Sequence, residues 1–539
     1  MKERIMILGA GVMQGPAIRI AGEMGLFTVV IDGDPDAPCK DLADRFECID
    51  LKDKEGIEAL GGILMAEGGL SGIMTAGTDF SASVAWAAEK LGLPGIPYEA
   101  ALNASDKERM RDCFKKAGLP SPEFAVFSTP PLPDTALPAP YPLVVKPVDN
   151  MGGRGCRRVD SFAELSPAVA GALKFSRSGR AIVEGFIEGP EFSVDAIVYH
   201  GEITICGLAD RHIFFPPYFI EMGHTMPSNF PAEQQKLLLD TFCAAVRALG
   251  IAGENSVGAA KGDIKLTPNG PMIGEVAARL SGGYMSGWTY PYASGVEPTQ
   301  AMIQACTGRK PTGLVPGRSW TSAERAFISI PGVVASLQGV QAAREAPYVK
   351  DLFLRAAPGS PVTFPENNVS KCGNIITQAP NRQAAAEAAE TAARSILIRL
   401  QAPNPETEAF LDGARHLFQN GARHLDAFQI FPALRSALDR LPGSYTAKGA
   451  PDDVDQINQN LAIIPFPEFS ASDLRDYMGR TVEESLAAVR QITALPLPVV
   501  SPEEKTSDTK TIYLGRNFWS ALIRGGYQAA VYMIDMMQK

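Results

Sequence analysis

The chain has 539 residues, of which 45% are hydrophobic and 20% are charged, and its formal net charge is −10. A chain of this length holds several domains. The negative charge argues against a nucleic-acid partner, because phosphate backbones are bound through basic surfaces. Eight cysteines without a CxxC pair indicate neither a zinc site nor a disulfide framework. The start of the chain lacks a secretory signal pattern, and no apolar segment approaches the ~20 residues that cross a bilayer. We therefore expect a cytoplasmic protein without a membrane partner.

The first hundred residues alternate strand and helix patterns. Buried strands are predicted at Ile5 to Leu8, Thr28 to Ile31 and Gly72 to Thr75, with a glycine turn and a helical pattern after the first. This alternation predicts a parallel sheet with helices on both faces, and hence an α/β fold class.

A dinucleotide site is one interpretation of this sheet. Asp32 follows the glycine turn by about 20 residues, where a ribose-binding acid belongs. The glycines, however, are Gly9, Gly11 and Gly15, with Gln14 where the GxGxxG spacing needs its third glycine. We favour a tight first turn that helps to hold another small ligand, and keep NAD as the alternative.

A short amphipathic helix is predicted from Ser105 to Lys116, capped by Ser105 with Glu108 at the capping-box position. After a proline-rich connector, a strand ending in Lys146 precedes a glycine-rich loop and a second strand. The loop consists of Gly152, Gly153, Arg154 and Gly155. Backbone N–H groups and two cations suit an anion, although glycine-rich loops also occur as ordinary hairpin turns.

The next apolar strand runs into the segment from Glu184 to Glu191. Glu184 and Glu191 offer acceptors for the amino and hydroxyl donors of a nucleotide, and the backbone at Phe186 and Ile187 offers groups for a base edge. A solvated loop between two strands is the alternative interpretation.

An acidic hairpin is predicted between Gly258 and Gly283, with its turn at Pro268, Asn269 and Gly270. A register symmetric about Asn269 places Asp263 opposite Glu275. One face then carries Lys261, Asp263, Lys265, Glu275, Ala277 and Arg279, and the other carries Ile264, Leu266, Met272 and Val276. Two facing carboxylates suit Mg²⁺, which shares its remaining positions with water and substrate phosphates. A solvated hairpin face neutralised by lysines is the alternative.

The order and spacing of these segments resemble the ATP-grasp superfamily. The motifs are SDK at 105–107, VVKP at 144–147, GGRG at 152–155, VEGFIEGPEFSVD at 183–195, GDIK at 262–265 and GEVAARLSGG at 274–283. The chain looks most like the carboxylate-amine ligases, including the pyrrolysine-pathway ligase and, more distantly, the carbamoyl-phosphate synthase large subunit. The resemblance implies a pre-grasp Rossmann-like domain at 1–103, an ATP-grasp domain at 104–312 with a lid at about 122–190, a small closing subdomain at 313–400, and a mainly helical extension at 401–539.

The resemblance also implies roles for individual residues. Lys107, Lys146 and the loop from Gly152 to Gly155 correspond to phosphate-binding groups, and Glu184, Phe186 and Ile187 to the adenine hinge. Glu191 corresponds to the ribose-binding acid, Asp263 and Glu275 to the ligands of Mg²⁺ or Mn²⁺, and Arg279 to the arginine beside the transferred phosphoryl group or the acyl phosphate. We add His224, Ser281 and Gly282 as candidate substrate contacts.

The implied activity is ATP-dependent joining of a small carboxylate, such as an amino acid, to an amine through an acyl phosphate, with a homo-oligomer as a possible assembly. One departure is Ala277, where the superfamily often has an asparagine that helps to bind a second metal ion. Two alternatives stay open: a carboxylase of the biotin or purine type, and a non-catalytic ATP-binding protein.

Overall fold

The computed structural model describes residues 2–133, 135–420, 428, 432–446, 461–470, 473–501 and 511–538. The chain forms two compact units. The first comprises residues 1–214, 221–324 and 376–387, and the second comprises 215–220, 325–375 and 388–539. The division into four segments stays a prediction.

The first unit begins with the predicted parallel sheet, whose strand order is Arg45–Cys48, Phe27–Asp32, Arg4–Leu8 and Gly72–Thr75. Its three predicted strands are confirmed, and the edge strand Arg45–Cys48 was missed. That strand is short and largely charged, so it carries no buried run for a hydrophobicity pattern to detect.

The glycine turn after the first strand is occupied by protein groups. The Gln14 side chain folds back into it, accepting a hydrogen bond from the Gly11 N–H and donating one to the Ala76 carbonyl. The Asp32 carboxylate accepts hydrogen bonds from the Ala10 and Asp34 N–H groups. The groups of a dinucleotide fingerprint are therefore used to close the turn, which supports the interpretation without NAD.

A four-stranded antiparallel sheet follows, which we call the lid sheet. Its strand order is Phe124–Phe127, Ala181–Gly185, Leu143–Pro147 and Arg157–Val159. The helix Phe162–Phe175 packs its apolar face on this sheet.

The helix predicted from Ser105 to Lys116 is wrong at its start. Ser105 ends the helix Tyr98–Ser105, and a second helix runs from Lys107 to Lys116. Its N-cap is Asp106, whose carboxylate accepts hydrogen bonds from the N–H groups of Glu108 and Arg109. Asp106 is the better cap because an ionised carboxylate also interacts favourably with the positive end of the helix dipole.

The acidic hairpin continues a larger run of strands in the first unit, in the order Gly270–Ala277, Val257–Thr267, Glu191–Tyr199, Glu202–Phe214 and Ile220–Met226. The helix Ala232–Ala248 covers one face and buries Leu238, Phe242, Ala245 and Val246. The remaining helices of this unit are Gly15–Glu23, Lys54–Ala66, Ser81–Lys90, Tyr290–Ser294 and Pro298–Cys306, with short 3₁₀ and π turns at Lys40–Leu42 and Met285–Thr289.

Among the described residues, four elements contain residues of both units: the strands Ile220–Met226, Thr321–Phe327 and Gly373–Ala379 and the helix Arg382–Ser395. The second unit contains two small sheets. The strand order is Pro361–Val362, Gly332–Gln338, Leu397–Leu400 in one sheet and Tyr445–Thr446, Ile512–Leu514, Leu461–Ile463 in the other. The unit also contains the strand Val349–Leu354. Its helices are Val340–Glu345, Pro405–Asn420, Pro432–Arg440, Pro467–Ser470, Val482–Thr493 and Arg516–Met537.

The final helix Arg516–Met537 packs inside the second unit. Its Gln528 amide donates to the Ser329 hydroxyl and the Ile398 carbonyl and accepts from the Ile330 N–H. The Tyr527 hydroxyl accepts a 2.6 Å hydrogen bond from the Ile398 N–H. The helix therefore completes the polar contacts of the strand Leu397–Leu400 and of the connection that precedes Gly332–Gln338, both more than a hundred residues earlier in the chain. Among the described residues, no helix is both long and apolar enough to cross a membrane.

Candidate active site

The acidic hairpin is formed by Val257–Thr267 and Gly270–Ala277, and Asp263 pairs with Glu275 as predicted. The predicted register also holds for the pairs Lys261–Ala277 and Gly262–Val276, and it is wrong only between Asp263 and the turn. The ladder shifts by one residue between Asp263 and Ile264, so that Ile264 pairs with Ile273. Ile273 is fully buried on the apolar face, where we expected Met272. A β-bulge adds one residue to one strand, and sequence periodicity cannot reveal it.

Three groups hold the Asp263 carboxylate. It accepts a 2.6 Å hydrogen bond from the Ser193 hydroxyl and another from the Lys261 ammonium, and it pairs with Arg211 Nη1 at 3.1 Å. Burial alone would raise the pKa of Asp263, but the positive charges of Arg211 and Lys261 outweigh it and lower the pKa. Asp263 is therefore ionised at neutral pH.

Arg211, which the sequence did not point to, connects three acids. Its guanidinium pairs with Glu191 at 3.1 Å, with Asp263 at 3.1 Å and with Glu221 at 2.7 Å. Glu191 also pairs with Lys265 at 2.8 Å. No motif carries Arg211, because a single arginine inside the long strand Glu202–Phe214 looks like any charged strand residue.

Glu275 faces Lys107. The Lys107 ammonium lies 3.2 Å from Glu275 Oε1 and donates a 2.8 Å hydrogen bond to the Asn150 carbonyl, at the start of the glycine loop. Burial opposes ionisation of Glu275, but Lys107 and then Lys261 outweigh it and lower its pKa. The register also places Ala277 opposite Lys261.

A buried triad of charges lies on the lid sheet. Glu184 accepts a 2.6 Å hydrogen bond from the Lys146 ammonium and a 2.7 Å hydrogen bond from Arg111 Nε. Burial would raise the pKa of Glu184, but Arg111 and Lys146 outweigh it and lower the pKa to about 2. Each Glu184 oxygen therefore has a cationic partner. The sequence did not predict a role for Arg111, because this residue lies within an ordinary charged helix pattern.

The glycine loop joins the strands Leu143–Pro147 and Arg157–Val159. Gly152, Gly153 and Gly155 have φ values of +69°, +73° and +66°, which side chains disfavour. Arg154 Nη1 donates a 3.2 Å hydrogen bond to the Met151 carbonyl. The loop is thus built on left-handed backbone, which turns successive N–H groups in directions that suit an anion.

The segment proposed as an adenine hinge is partly bonded to the protein. The Phe186 N–H donates a 3.1 Å hydrogen bond to the Pro142 carbonyl, and the Ile187 carbonyl accepts one of 2.9 Å from Lys265. The Phe186 ring lies 4.7 Å from the Arg158 guanidinium and 5.0 Å from the Lys265 ammonium. Both cations lie within the distance at which the ring attracts a positive charge.

Arg279, Ser281 and Gly282 lie against the carboxyl end of the N-terminal parallel sheet. The Gly77 N–H donates to the Leu280 carbonyl, and a side chain at Gly282 would meet the Gly77 backbone at 3.3 Å. Arg279 Nη1 donates to the Leu280 carbonyl at 3.0 Å. Ligands of open parallel sheets bind at this end of the strands.

Ser281 donates a hydrogen bond to Asp195, a fully buried carboxyl that the sequence did not mark. Burial raises the pKa of Asp195 to about 7. Among the described residues, Asp195 Oδ1 has no hydrogen-bond partner.

His224 is buried between two acids. Its Nδ1 lies 3.1 Å from Glu324 Oε2 and its Nε2 lies 3.6 Å from Glu221 Oε2. Glu221 also binds Arg211, so His224 is linked to the Asp263 carboxylate through Glu221 and Arg211. The sequence did not reveal either acid, and the role of His224 as a substrate contact stays a prediction.

The carboxylates of Asp263 and Glu275 could together bind a divalent cation. Asp263 and Glu275 face each other and have lowered pKa values, so they offer ionised oxygens. In the described part of the chain, no group of three or more His, Cys, Asp or Glu residues could hold a metal ion. Mg²⁺ is commonly bound by one or two carboxylates, and water and substrate phosphates supply its remaining ligands.

Residues 104–283 match the family described as ATP-grasp domain, and residues 326–401 match L-amino acid ligase C-terminal domain 2. The predicted resemblance to the ATP-grasp superfamily and, within it, to the carboxylate-amine ligases is thereby confirmed. The expected fold class is thereby confirmed. The enzymes of this superfamily use ATP.

Three comparisons describe the similarity. The chain is 26% identical over 334 residues to the uncharacterized protein y4rH of Sinorhizobium fredii, covering 61% of this chain and 68% of that protein. It is 25% identical over 310 residues to carnosine synthase 1 of Gallus gallus, covering 53% of this chain but only 33% of that protein. The crystal structure of L-amino acid ligase from Bacillus licheniformis superposes with a TM-score of 0.63 at 24% identity, covering 74% of this chain and 99% of that one.

Proposed function

We propose that this protein is an ATP-dependent ligase that joins the carboxylate of an amino acid or other small acid to an amine. The acid oxygen attacks the γ-phosphorus, the bond to the β-phosphate oxygen breaks, and ADP leaves. The amine then attacks the acyl carbon, inorganic phosphate leaves with both electrons of the C–O bond, and the nitrogen loses a proton to give an amide. Family membership, carnosine synthase 1 and the L-amino acid ligase support this reaction class.

The observation that carries the proposal is the opposition of Asp263 and Glu275, with Lys107 3.2 Å from Glu275. Ionised acids beside lysines form a polar site suited to a triphosphate with a cation. Phosphoryl transfer depends on positioning and charge more than on a side-chain nucleophile.

We assign the nucleotide contacts by position. Lys107, Lys146 and the N–H groups of Gly152, Gly153, Arg154 and Gly155 hold phosphate oxygens. Glu191 binds the ribose, and Glu184, Phe186 and Ile187 border the adenine. These groups orient the γ-phosphorus and exclude water, so that the acid and not water receives the phosphoryl group.

Asp263 and Glu275 would hold Mg²⁺ or Mn²⁺. When bound, the cation neutralises phosphate charge and favours departure of the diphosphate. The structure supports this role through the lowered pKa values of both acids.

Arg279, Ser281 and Gly282 contact the acyl side, and His224 contacts the substrate. Arg279 opposes the negative charge that develops on the acyl phosphate. Because His224 bridges Glu221 and Glu324, substrate groups near it meet a network of two acids and one imidazole. That environment suits an ammonium group, as an amino acid carries.

The test is an ADP-release screen with pooled amino acids and small carboxylates, with and without Mg²⁺. The active acid is then supplied with ¹⁸O in its carboxylate. Transfer of one ¹⁸O to inorganic phosphate is expected, because one carboxylate oxygen leaves with the phosphoryl group. Stimulation by bicarbonate instead would indicate a carboxylase, and ATP binding without turnover across all pools would indicate a non-catalytic protein.

We also propose that the enzyme works in the cytoplasm, which the eight unpaired cysteines support. Size-exclusion chromatography with light scattering would test a homo-oligomer.

A further inference from the structure

One helix supplies two buried cations to the site. Lys107 and Arg111 lie one turn apart on Lys107–Lys116, so both side chains project from the same face. Lys107 reaches Glu275, whereas Arg111 reaches Glu184 of the lid sheet through Nε at 2.7 Å. Arg111 Nη2 donates a 2.6 Å hydrogen bond to the carbonyl of Gly274, the extra residue of the hairpin bulge. The fully buried Arg111 thus joins the helix, the lid sheet and the acidic hairpin.

The charges around Glu184 do not cancel. Glu184 carries one negative charge, and Arg111 and Lys146 carry one positive charge each, so the triad has a net charge of +1. Without Arg111, Lys146 and Glu184 would form a neutral pair 2.6 Å apart. Arg111 therefore determines whether the triad attracts an anion.

Hydrogen bonding to Glu184 alone does not explain a buried guanidinium. Among the described residues, Arg111 Nη1 has no hydrogen-bond partner, and an unpaired buried donor is destabilising. A neutral side chain bonded to a neutral partner would avoid that cost. A guanidinium at this position is explained if its positive charge itself is used.

We propose that Arg111 is a positioning residue that neutralises Glu184, so that the charge of Lys146 stays available to the phosphates of the nucleotide. Its second contact, to Gly274, fixes the backbone immediately before Glu275. This inference rests on the proposed function, because it requires that Lys146 binds ATP.

The effect should depend on how many phosphates the ligand carries. Arg111→Met keeps the length and removes the charge. We expect affinity for ATP to fall by about tenfold or more, as for loss of a buried charge-assisted contact. Affinity for adenosine should change by no more than about twofold. Calorimetric titrations with adenosine, ADP and ATP at fixed Mg²⁺ measure the ratio of the adenosine and ATP dissociation constants. The control is Arg109→Met, on the same helix, whose guanidinium binds Glu99 and Asn103 instead.

Two further variants keep the test informative if Arg111→Met does not fold. Arg111→Lys keeps the charge, although a single ammonium lacks the fork that reaches both Glu184 and Gly274. It should preserve the ratio of dissociation constants and lower kcat. The double variant Arg111→Met with Glu184→Gln removes both charges and leaves Lys146 with its own, so the ratio should recover toward the wild-type value.

Equal losses of adenosine and ATP affinity in Arg111→Met would overturn the inference. So would a double variant with a ratio no better than that of the single variant, because removal of the Glu184 charge should make the charge of Lys146 available to the phosphates again. If the wild-type protein binds no ATP, the proposed function fails. If the wild type binds ATP and the ratio is insensitive to Arg111, only the inference fails.

Discussion

Lys107 and Glu275 form an ion pair, with 3.2 Å between Nζ and Oε1, that joins the first turn of a helix to the acidic hairpin. The same ammonium bonds to the Asn150 carbonyl, where the glycine loop begins. Lys107, which we propose as a phosphate-binding residue, is thereby held between the acidic hairpin and the glycine loop. The following predictions test that arrangement and the fold that supports it.

Substitution Glu275→Gln should lower the rate of ADP release by about 10²- to 10³-fold, as for loss of one preorganised electrostatic contact. Glutamine keeps the shape but loses the charge that faces Asp263 and Lys107. The control is Glu202→Gln, an exposed acid on a strand of the same unit. Wild-type turnover in Glu275→Gln, measured with a coupled ADP assay, would remove Glu275 from the metal site.

The glycine loop offers a matched pair of substitutions. Gly152 and Gly155 both have positive φ, but a Cβ at Gly152 would meet only Arg154 Nη1 at 3.5 Å. A Cβ at Gly155 would lie 2.9 Å from Phe175 and 3.2 Å from the Ala172 backbone. Gly155→Ala should therefore raise the KM for ATP more than Gly152→Ala, because it strains both the loop backbone and its packing. Steady-state kinetics would decide, and equal KM values would contradict a packed loop.

The second unit should lose stability when its central tryptophan is truncated. Trp519 is 1% exposed, packs on Phe466 and Phe469, and donates a 2.7 Å hydrogen bond to the Ile464 carbonyl. Trp519→Ala should cost about 3–5 kcal/mol of unfolding free energy. Trp320→Ala, at a position 41% exposed, is the control and should cost much less. Urea unfolding followed by circular dichroism measures both, and similar midpoints would contradict the assignment of this core.

The pH dependence of stability should reveal Asp195. Burial raises its pKa to about 7, so the folded state binds a proton that the unfolded chain has released above pH ~4. The stability associated with the protonated carboxyl is fully present below the unfolded pKa and is lost as pH rises toward 7. Asp195→Asn cannot ionise, so its stability relative to wild type should improve between pH 4 and 7 and then stay constant. A difference that does not vary with pH would contradict this.

Sequence reasoning recovered the parts of the site that depend on local pattern. The Asp263 and Glu275 pairing follows from a turn signal and strand periodicity, and the three predicted strands of the first sheet follow from apolar runs. It could not recover Arg111, Arg211 or Asp195, because each acts on a residue at least 52 positions away in the chain. Their contacts form only in the folded chain, and the spacing of residues in a single sequence does not reveal them.

Two local errors have local physical causes. The N-cap is Asp106 and not the predicted Ser105, because an ionised carboxylate interacts more strongly with the helix dipole than a hydroxyl does. The observed hairpin register differs from the predicted one at Gly274, which is an extra residue in one strand. The acid pair stays opposed, and every pair between it and the turn is offset by one residue. The functional roles of all the candidate site residues stay predictions.

The docking of the last helix has a practical consequence for anyone who would transplant the ligase domains into another protein. The match to the C-terminal ligase domain ends at residue 401, yet Ser329, Ile330 and Ile398 within it bond to Gln528. A chain that ends at residue 401 would lack the hydrogen-bond partners of these residues and would expose the apolar surface that the helix covers. Such a fragment should aggregate, and a chimaera should keep the chain through Met537.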